Sequence, residues 1–350
     1  MPDRAIEIDG RRIAAGMPPY VVAELSANHN GDIERAFAVL EAAKRAGANA
    51  VKLQTYTADT LTIDHDGPGF RIESGPWAGQ TLHQLYTEAA MPWNWHQPLF
   101  AKGRELGLTV FSSPFDETAV DFLEELEAPA YKIASFEAID LPLVERVAAT
   151  GKPVIISTGM ADRTEIGETV AAARAAGCED LLLLHCVSAY PADPEDYNLR
   201  TIADMSEAFG TPVGLSDHTL GPETAIAAVT LGAPLVEKHL TLRRADGGPD
   251  SGFSVEPDEL TALCESLQTT WNALGIPQYA QSEAENDNTV FRRSLYAVAD
   301  LGAGETLTRE NIRSIRPGFG LPPKDYPRLL GRKARTAISR GTPLSWDVIE

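Results

Sequence analysis

Eight short apolar runs, separated by alanine-rich amphipathic stretches, constrain this chain more than any other feature. The runs are YVVAEL (20–25), AVKLQT (50–55), LTVFSS (108–113), AYKIAS (130–135), PVIIST (153–158), LLLLHC (181–186), PVGLSD (212–217) and LVEKHL (235–240). Between most of them lie stretches such as AFAVLEAAKRAGA, EIGETVAAARAAGC and ETAIAAVTLGA, which have helical periodicity and end near glycine. Strands alternating with helices imply a parallel sheet. Eight such units in roughly 250 residues match the size and count of a (β/α)8 TIM barrel in the α/β class. The rival is a doubly wound open sheet, but no glycine-rich dinucleotide fingerprint follows the first run.

Nearly every run ends in groups that do chemistry: Glu24; Lys52 and Gln54; Ser112 and Ser113; Lys132 and Ser135; Ser157 and Thr158; His185; Ser216, Asp217 and His218; Glu237 and His239. In this fold the active site lies at the C-terminal ends of the strands. Any one of these residues alone is more often a hydrogen-bonded structural group, and their shared position is what argues for a site. Strand alternation puts Lys52 and Gln54 on one side, and Glu237 and His239 on one side, so Lys238 points away and is read as structural.

The two histidines that end the last two runs, His218 and His239, are candidate ligands for a divalent ion with positions left open. The competing reading is two unrelated hydrogen-bonded imidazoles. Lys52 and Lys132, with Ser135, Ser157 and Ser216 and also Ser113 and Ser188, have the chemistry of a phosphate site. Glu24 and Glu137 are candidate acid or base groups, or else ion-pair partners of the lysines. The Gly-Gly-Pro turn in GGPDS (247–251) either aims Asp250 at a substrate hydroxyl or is an ordinary surface turn. His185 and Cys186 are adjacent on a strand and face opposite ways, which excludes a dyad between them. The second connection, residues 56–92, is long, and is expected to be a lid or sugar-contacting segment.

Composition narrows the class. The chain has 350 residues, 43% hydrophobic, enough for a large core and more than one domain. The MPDRAIEIDG start is no secretory signal and no apolar run reaches membrane-spanning length, so a cytoplasmic protein without membrane association is expected. Three widely spaced cysteines (Cys178, Cys186 and Cys264) form neither a zinc motif nor a disulfide framework. Residues 290–350 hold 11 Lys/Arg against 6 Asp/Glu, net +5, while the remainder carries 19 against 44, net −25. A small basic unit thus accompanies a large acidic one, which favours attraction between the two within or between chains and disfavours nucleic-acid binding. The expected division is a barrel over 1–275, a polar linker over 276–289 and a compact unit over 290–350.

The segments AELSANHNGDIERAFAVLEAAKRAGANAVKLQTY, FSSPF, AYKIASFEA, STGMA, LLHCVSAYP, VGLSDHT, VEKH and GGPDS together resemble the sialic acid synthase family, and SLYAVADLGAGETLTRENIRSIRPGFG resembles that family's antifreeze-like (SAF) domain. Within the family, SANHNGD with KLQTYT, YKIASFEA and RPGFGLPPKDYPRLLGRKA are most similar to the branch whose product is pseudaminic acid. The resemblance implies a TIM barrel followed by the SAF domain, in a domain-swapped homodimer. It implies condensation of phosphoenolpyruvate with an N-acetylated hexose, here 2,4-diacetamido-2,4,6-trideoxy-L-altrose. Sibling enzymes making N-acetylneuraminate or legionaminate are the alternative. It further implies manganese or magnesium on His218 and His239, and phosphoenolpyruvate on Lys52, Lys132, Ser135, Ser157 and Ser216. Glu24, Gln54, Glu137, Tyr190 and Asp250 would surround the sugar and reacting centre, with Arg316 reaching across from the second chain. Ser188 stands where sialic acid synthases often have asparagine, a departure that bears on its phosphate contact.

Overall fold

The structure, a computed structural model, describes residues 5–350. It opens with an antiparallel hairpin, β1 (Ala5–Ile8) and β2 (Arg11–Ala14), whose turn residues Asp9 and Gly10 both take positive φ. This hairpin is absent from the sequence-based expectation above, although Asp-Gly between alternating apolar residues is a strong hairpin signal.

Eight parallel strands follow: β3 (Tyr20–Glu24), β4 (Ala50–Thr55), β5 (Thr109–Pro114), β6 (Tyr131–Ile133), β7 (Val154–Ser157), β8 (Leu181–Cys186), β9 (Val213–Asp217) and β10 (Leu235–His239). They close into a barrel in chain order, with β10 pairing β3. Each of the eight apolar runs supplies one stave. The helices between them bury alanine-rich faces against the outside of the barrel. The helix Ile33–Ala46 is begun by Asp32, whose side chain accepts from Glu34 N, and ended by Gly47 in the left-handed conformation. The longest helix, Pro257–Leu274, packs against Ile33–Ala46 and Glu223–Thr230, next to the seam where β10 meets β3.

The inward side chains divide into two layers. Towards the strand N-termini they are apolar: Val22, Ala50, Phe111, Ile155, Leu182 and Leu235 are fully buried and pack with Ile6, Ile8 and Ile13 of the hairpin. The hairpin therefore stoppers the bottom of the barrel, each of its three isoleucines contributing ~1.5–3 kcal/mol by leaving water. Towards the strand C-termini the inward positions become polar.

Residues Ile276–Glu350 form a second compact unit, distinct from Met1–Gly275. A 3-10 segment, Glu283–Phe291, lies within an exposed stretch at its start. The antiparallel pair β11 (Ser294–Ala297) and β12 (Ile312–Ile315) surrounds a small core with Leu295, Leu307, Leu329, Ala334 and Leu344. No helix among the described residues is long and apolar enough to cross a membrane.

Candidate active site

The polar inward layer opens into a cavity of about 440 Å³, within the range of small-molecule sites. Its charged floor follows from strand alternation. Lys52 of β4 and Lys132 of β6 reach the same oxygen, Glu237 Oε1 of β10, at 3.0 and 3.2 Å. Lys52 also lies 3.2 Å from Glu24 Oε2 and 3.5 Å from Ser113 Oγ. Gln54 donates to Glu24 Oε1 and to Ser26 Oγ, both at 2.9 Å. Burial alone would keep the Glu237 carboxyl neutral, but Lys132 and Lys52 hold it at about 2. Glu24, wholly enclosed, is pushed by burial up to about 7 against the pull of Lys52. Burial, reinforced by Lys52, lowers Lys132.

Hydroxyl groups converge beside this cluster. Gly159 N donates to Ser135 Oγ at 3.2 Å, and a Cβ on Gly159 would fall 2.2 Å from Ser188 Oγ and 2.8 Å from Ser135 Oγ. Ser157 Oγ and Ser188 Oγ are buried without a hydrogen-bond partner among the described residues. Buried hydroxyls left unsatisfied at and after the ends of β7 and β8 have the chemistry of an anion site.

Glu137 sits on the 3-10 turn Ser135–Glu137 after β6 and lines the cavity. Its Oε2 is buried without a partner, and burial raises its carboxyl to about 7 against the opposing pull of Lys132. A carboxyl near neutrality suits proton transfer.

The imidazoles of His218 and His239 lie with ring centroids 5.4 Å apart. His218 Nδ1 faces the Val187 carbonyl at 2.8 Å, which leaves the Nε2 lone pair available, as in metal-binding histidines. His239 is held well below its ordinary value by burial and then by His218 and Lys52, so it is neutral, and its buried Nδ1 has no hydrogen-bond partner. No group of three or more His, Cys, Asp or Glu able to hold a metal occurs among the described residues. The neutral, partnerless imidazole of His239 and the His218 ring, oriented by the Val187 carbonyl, nevertheless fit a divalent ion that takes its other ligands from substrate and water.

Tyr190 stacks obliquely on His218 at 4.5 Å, and Phe253 contacts both Tyr190 and His239. Asp250 accepts from Ser26 Oγ and from Ala27 N, with Oδ2 3.9 Å from His239 Nδ1. The GGPDS turn is pinned to the SANHNGD segment: Asn30 Nδ2 donates to Gly247 O at 2.9 Å, and Gly248, at φ 112°, leaves no room for a Cβ beside Asn30 Oδ1.

Of the residues singled out in the sequence, Lys52, Gln54, Lys132, Ser135 and Glu137 line the cavity, as do Tyr190, Ser216, His218, His239 and Asp250. Glu24 is fully buried behind Lys52 and Gln54; Ser113, Ser157 and Ser188 are not part of the lining. Arg316 is an exposed residue of the second unit. Four groups at the strand ends face outward instead. Ser112 bonds Thr55, which bonds His96; His185 bonds the Tyr197 carbonyl; Thr158 bonds the Leu184 carbonyl. Asp217 pairs with Lys238 at 2.7 Å, so Lys238 is indeed structural. Position at a strand end does not decide the side; parity along the strand does. The same parity turns Cys186 inward, where its Sγ lies 3.9 Å from His218 Nδ1, and it went unassigned although the alternation already pointed to it. Ser26, Tyr56, Trp77 and Phe253 were likewise missed, because they come from loops without a period to read.

Two lysines, two imidazoles and a carboxyl raised towards neutrality meet at the mouth of a TIM barrel, the end of the fold at which its enzymes do their chemistry. The chain belongs to the NeuB family, which matches residues 39–279, and residues 292–350 match the SAF domain. It is 44% identical over 335 residues to the pseudaminic acid synthase of Helicobacter pylori, covering 95% of this chain and 98% of that one. It is 42% identical over 325 residues to the pseudaminic acid synthase of Campylobacter jejuni, covering 93% and 95%. Among solved structures, the N-acetylneuraminic acid synthetase of Leptospira borgpetersenii superposes with a TM-score of 0.73 at 29% identity, over 82% of this chain and 95% of that one.

Proposed function

We propose that this chain is a pseudaminic acid synthase, condensing phosphoenolpyruvate and water with open-chain 2,4-diacetamido-2,4,6-trideoxy-L-altrose to give the nine-carbon acid and phosphate. The observation that carries this is the Lys52–Glu237–Lys132 cluster beside the hydroxyls around Gly159, in a chain 44% identical to a pseudaminic acid synthase. The sialic acid synthetase, at 29%, is the more distant relative, so the sibling sugars rank second.

In this reading Lys52, Lys132, Ser135, Ser157, Ser188 and Ser216 hold the phosphate and carboxylate of phosphoenolpyruvate, with Ser113 supporting Lys52. Gln54, Tyr190 and Asp250 orient the sugar. A manganese or magnesium ion held by His218 and His239 would supply Lewis-acid polarisation of the aldehyde oxygen. Carbon 3 of phosphoenolpyruvate forms the new bond to the aldehyde carbon, and carbon 2, left electron-poor, takes up water. The tetrahedral carbon then expels phosphate by carbon–oxygen cleavage, the lysines offsetting the charge that gathers on the leaving group. Of the two candidate carboxyls, Glu24 is engaged by Lys52 and Gln54 outside the cavity lining, whereas Glu137 is a lining residue whose buried Oε2 has no hydrogen-bond partner. Glu137 therefore positions and deprotonates the water.

A homodimer is part of the proposal. Phe136, Ile139, Met160 and Leu220, following β6, β7 and β9, are 54–69% exposed at the barrel mouth, an apolar rim suited to cover by a second chain. The basic SAF unit of that chain, carrying Arg316, has the complementary charge for an acidic barrel.

Phosphate release assayed with each purified precursor sugar tests the reaction. Oxygen-18 placed in the bridging ester of phosphoenolpyruvate is expected to leave with phosphate; label retained in the sugar acid would overturn the scheme.

A further inference from the structure

We infer that the apolar face of the 56–92 connection selects a sugar ending in a methyl group over one ending in a hydroxymethyl, with Ile72 and Leu85 as specificity-determining residues. This rests on the reaction proposed above and extends it to the end of the sugar remote from the aldehyde. The cavity is chemically two-sided. The strand ends and the GGPDS turn contribute its charged groups, whereas the connection contributes Leu61, Ile72, Trp77, Leu82, Leu85 and Ala89, joined by Phe115, Phe136 and Phe253 from other loops. The Trp77 indole N–H is already donated to the Pro249 carbonyl at 2.9 Å, so Trp77 offers the cavity a ring and no donor. The connection also brings three hydroxyls. Ser74 is exposed, while Tyr56 and Tyr86 lie towards carboxylates, each raised by burial and then by Asp250 and Glu137 respectively. Those two phenols belong with the polar side.

The apolar face is held in place before substrate arrives. Ile72 exchanges backbone hydrogen bonds with Gln80 and Gly79 at 3.0 and 2.9 Å, and the Trp77–Pro249 bond ties the segment to the GGPDS turn. Ile72 and Leu82 remain half-buried, so the fold itself does not consume their apolar surface, whereas Leu85, 7% exposed, meets the cavity from a buried position. A hydroxyl set against this face exchanges hydrogen bonds with water for none, while a methyl covers the half-exposed side chains. An apolar subsite rejects an added hydroxyl only moderately, by about 10- to 100-fold.

The test is kcat/KM for two precursor sugars matched except at carbon 6, one with a methyl and one with a hydroxymethyl, at saturating phosphoenolpyruvate. The wild-type enzyme is expected to favour the methyl sugar by about 10- to 100-fold. Ile72→Asn and Leu85→Asn are each expected to shrink that ratio about tenfold or more with KM for phosphoenolpyruvate unchanged, and Leu85→Met to preserve it. Ile72→Asn, at a half-buried site, keeps the test alive if Leu85→Asn fails to fold. A ratio unchanged within about twofold in an active Ile72→Asn enzyme would overturn the inference while leaving the reaction intact. Wild-type enzyme that releases no phosphate with either sugar would overturn the reaction and this inference together.

Discussion

Lys52 Nζ lies 3.0 Å from Glu237 Oε1 at a point where neither side chain is more than 3% exposed. Lys132 shares that oxygen, so one carboxylate bridges two ammonium groups inside the barrel, with Glu24 3.2 Å from Lys52 on its other side. Substituting Glu237→Gln leaves Lys132 buried without its counter-ion and Lys52 with Glu24 alone, a situation that costs about 3–5 kcal/mol. The expected result is a fall of that size in urea-unfolding stability, partly reversed by added phosphoenolpyruvate, whose anionic groups replace the missing charge. Stability unaffected by the ligand would contradict an anion site at these lysines.

Lys238 serves as the structural counterpart. Its Nζ bonds Asp217 Oδ2 at 2.7 Å and the carbonyls of Thr219 and Gly221 at 2.6 and 3.2 Å, fixing the chain after β9. Lys238→Met is expected to destabilise the fold by about 3–5 kcal/mol, because Asp217 is left buried and unpaired. Below its melting temperature, the variant should retain KM for phosphoenolpyruvate within about twofold, since Lys238 points out of the barrel. A large rise in KM would place it in the anion site instead.

The pH dependence should report Glu137. Its carboxyl is raised by burial to about 7, so kcat/KM should fall as pH drops below about 7, and Glu137→Gln should lower kcat by about 10²–10⁴. Stability moves the other way. A carboxyl whose folded value exceeds its unfolded value of 4.5 contributes stability that is full below 4.5 and lost as pH rises through about 7. Glu137→Gln should therefore be the more stable protein at pH 8, by up to ~3 kcal/mol, and the difference should vanish near pH 4. Thermal melts at the two pH values measure it, and an acid-stable activity profile would remove Glu137 from the role of base.

Metal dependence separates the imidazoles from ordinary buried histidines. Chelation should abolish phosphate release and manganese should restore it. His218→Ala and His239→Ala should each lower the bound-metal stoichiometry of purified protein towards zero, read by elemental analysis independently of turnover. Full metal content in His239→Ala would reassign that residue to positioning Asp250, 3.9 Å away.

The barrel was legible in the sequence because eight apolar runs of fixed spacing leave little choice of architecture, and each run became a stave. The site was legible where polarity combined with alternation: Lys52, Gln54, Glu237 and His239 turn inward as parity requires, and Lys238 turns out. Applied to every strand, the same parity would have discarded His185 and Asp217 and found Cys186. Trp77 and Phe253 had no such handle, since a loop's path depends on tertiary bonds such as Trp77 to Pro249. The opening hairpin is legible in its Asp-Gly turn between alternating apolar residues, Ile6 and Ile8 before it and Ile13 after it.

The stopper formed by Ile6, Ile8 and Ile13 makes the barrel a flask with one neck. Reactants and products must all pass the same rim, and the rim is built from the connections that follow the strands. Descendants of such a chain are free to rework the 56–92 segment for a new sugar while the corked end keeps the vessel standing.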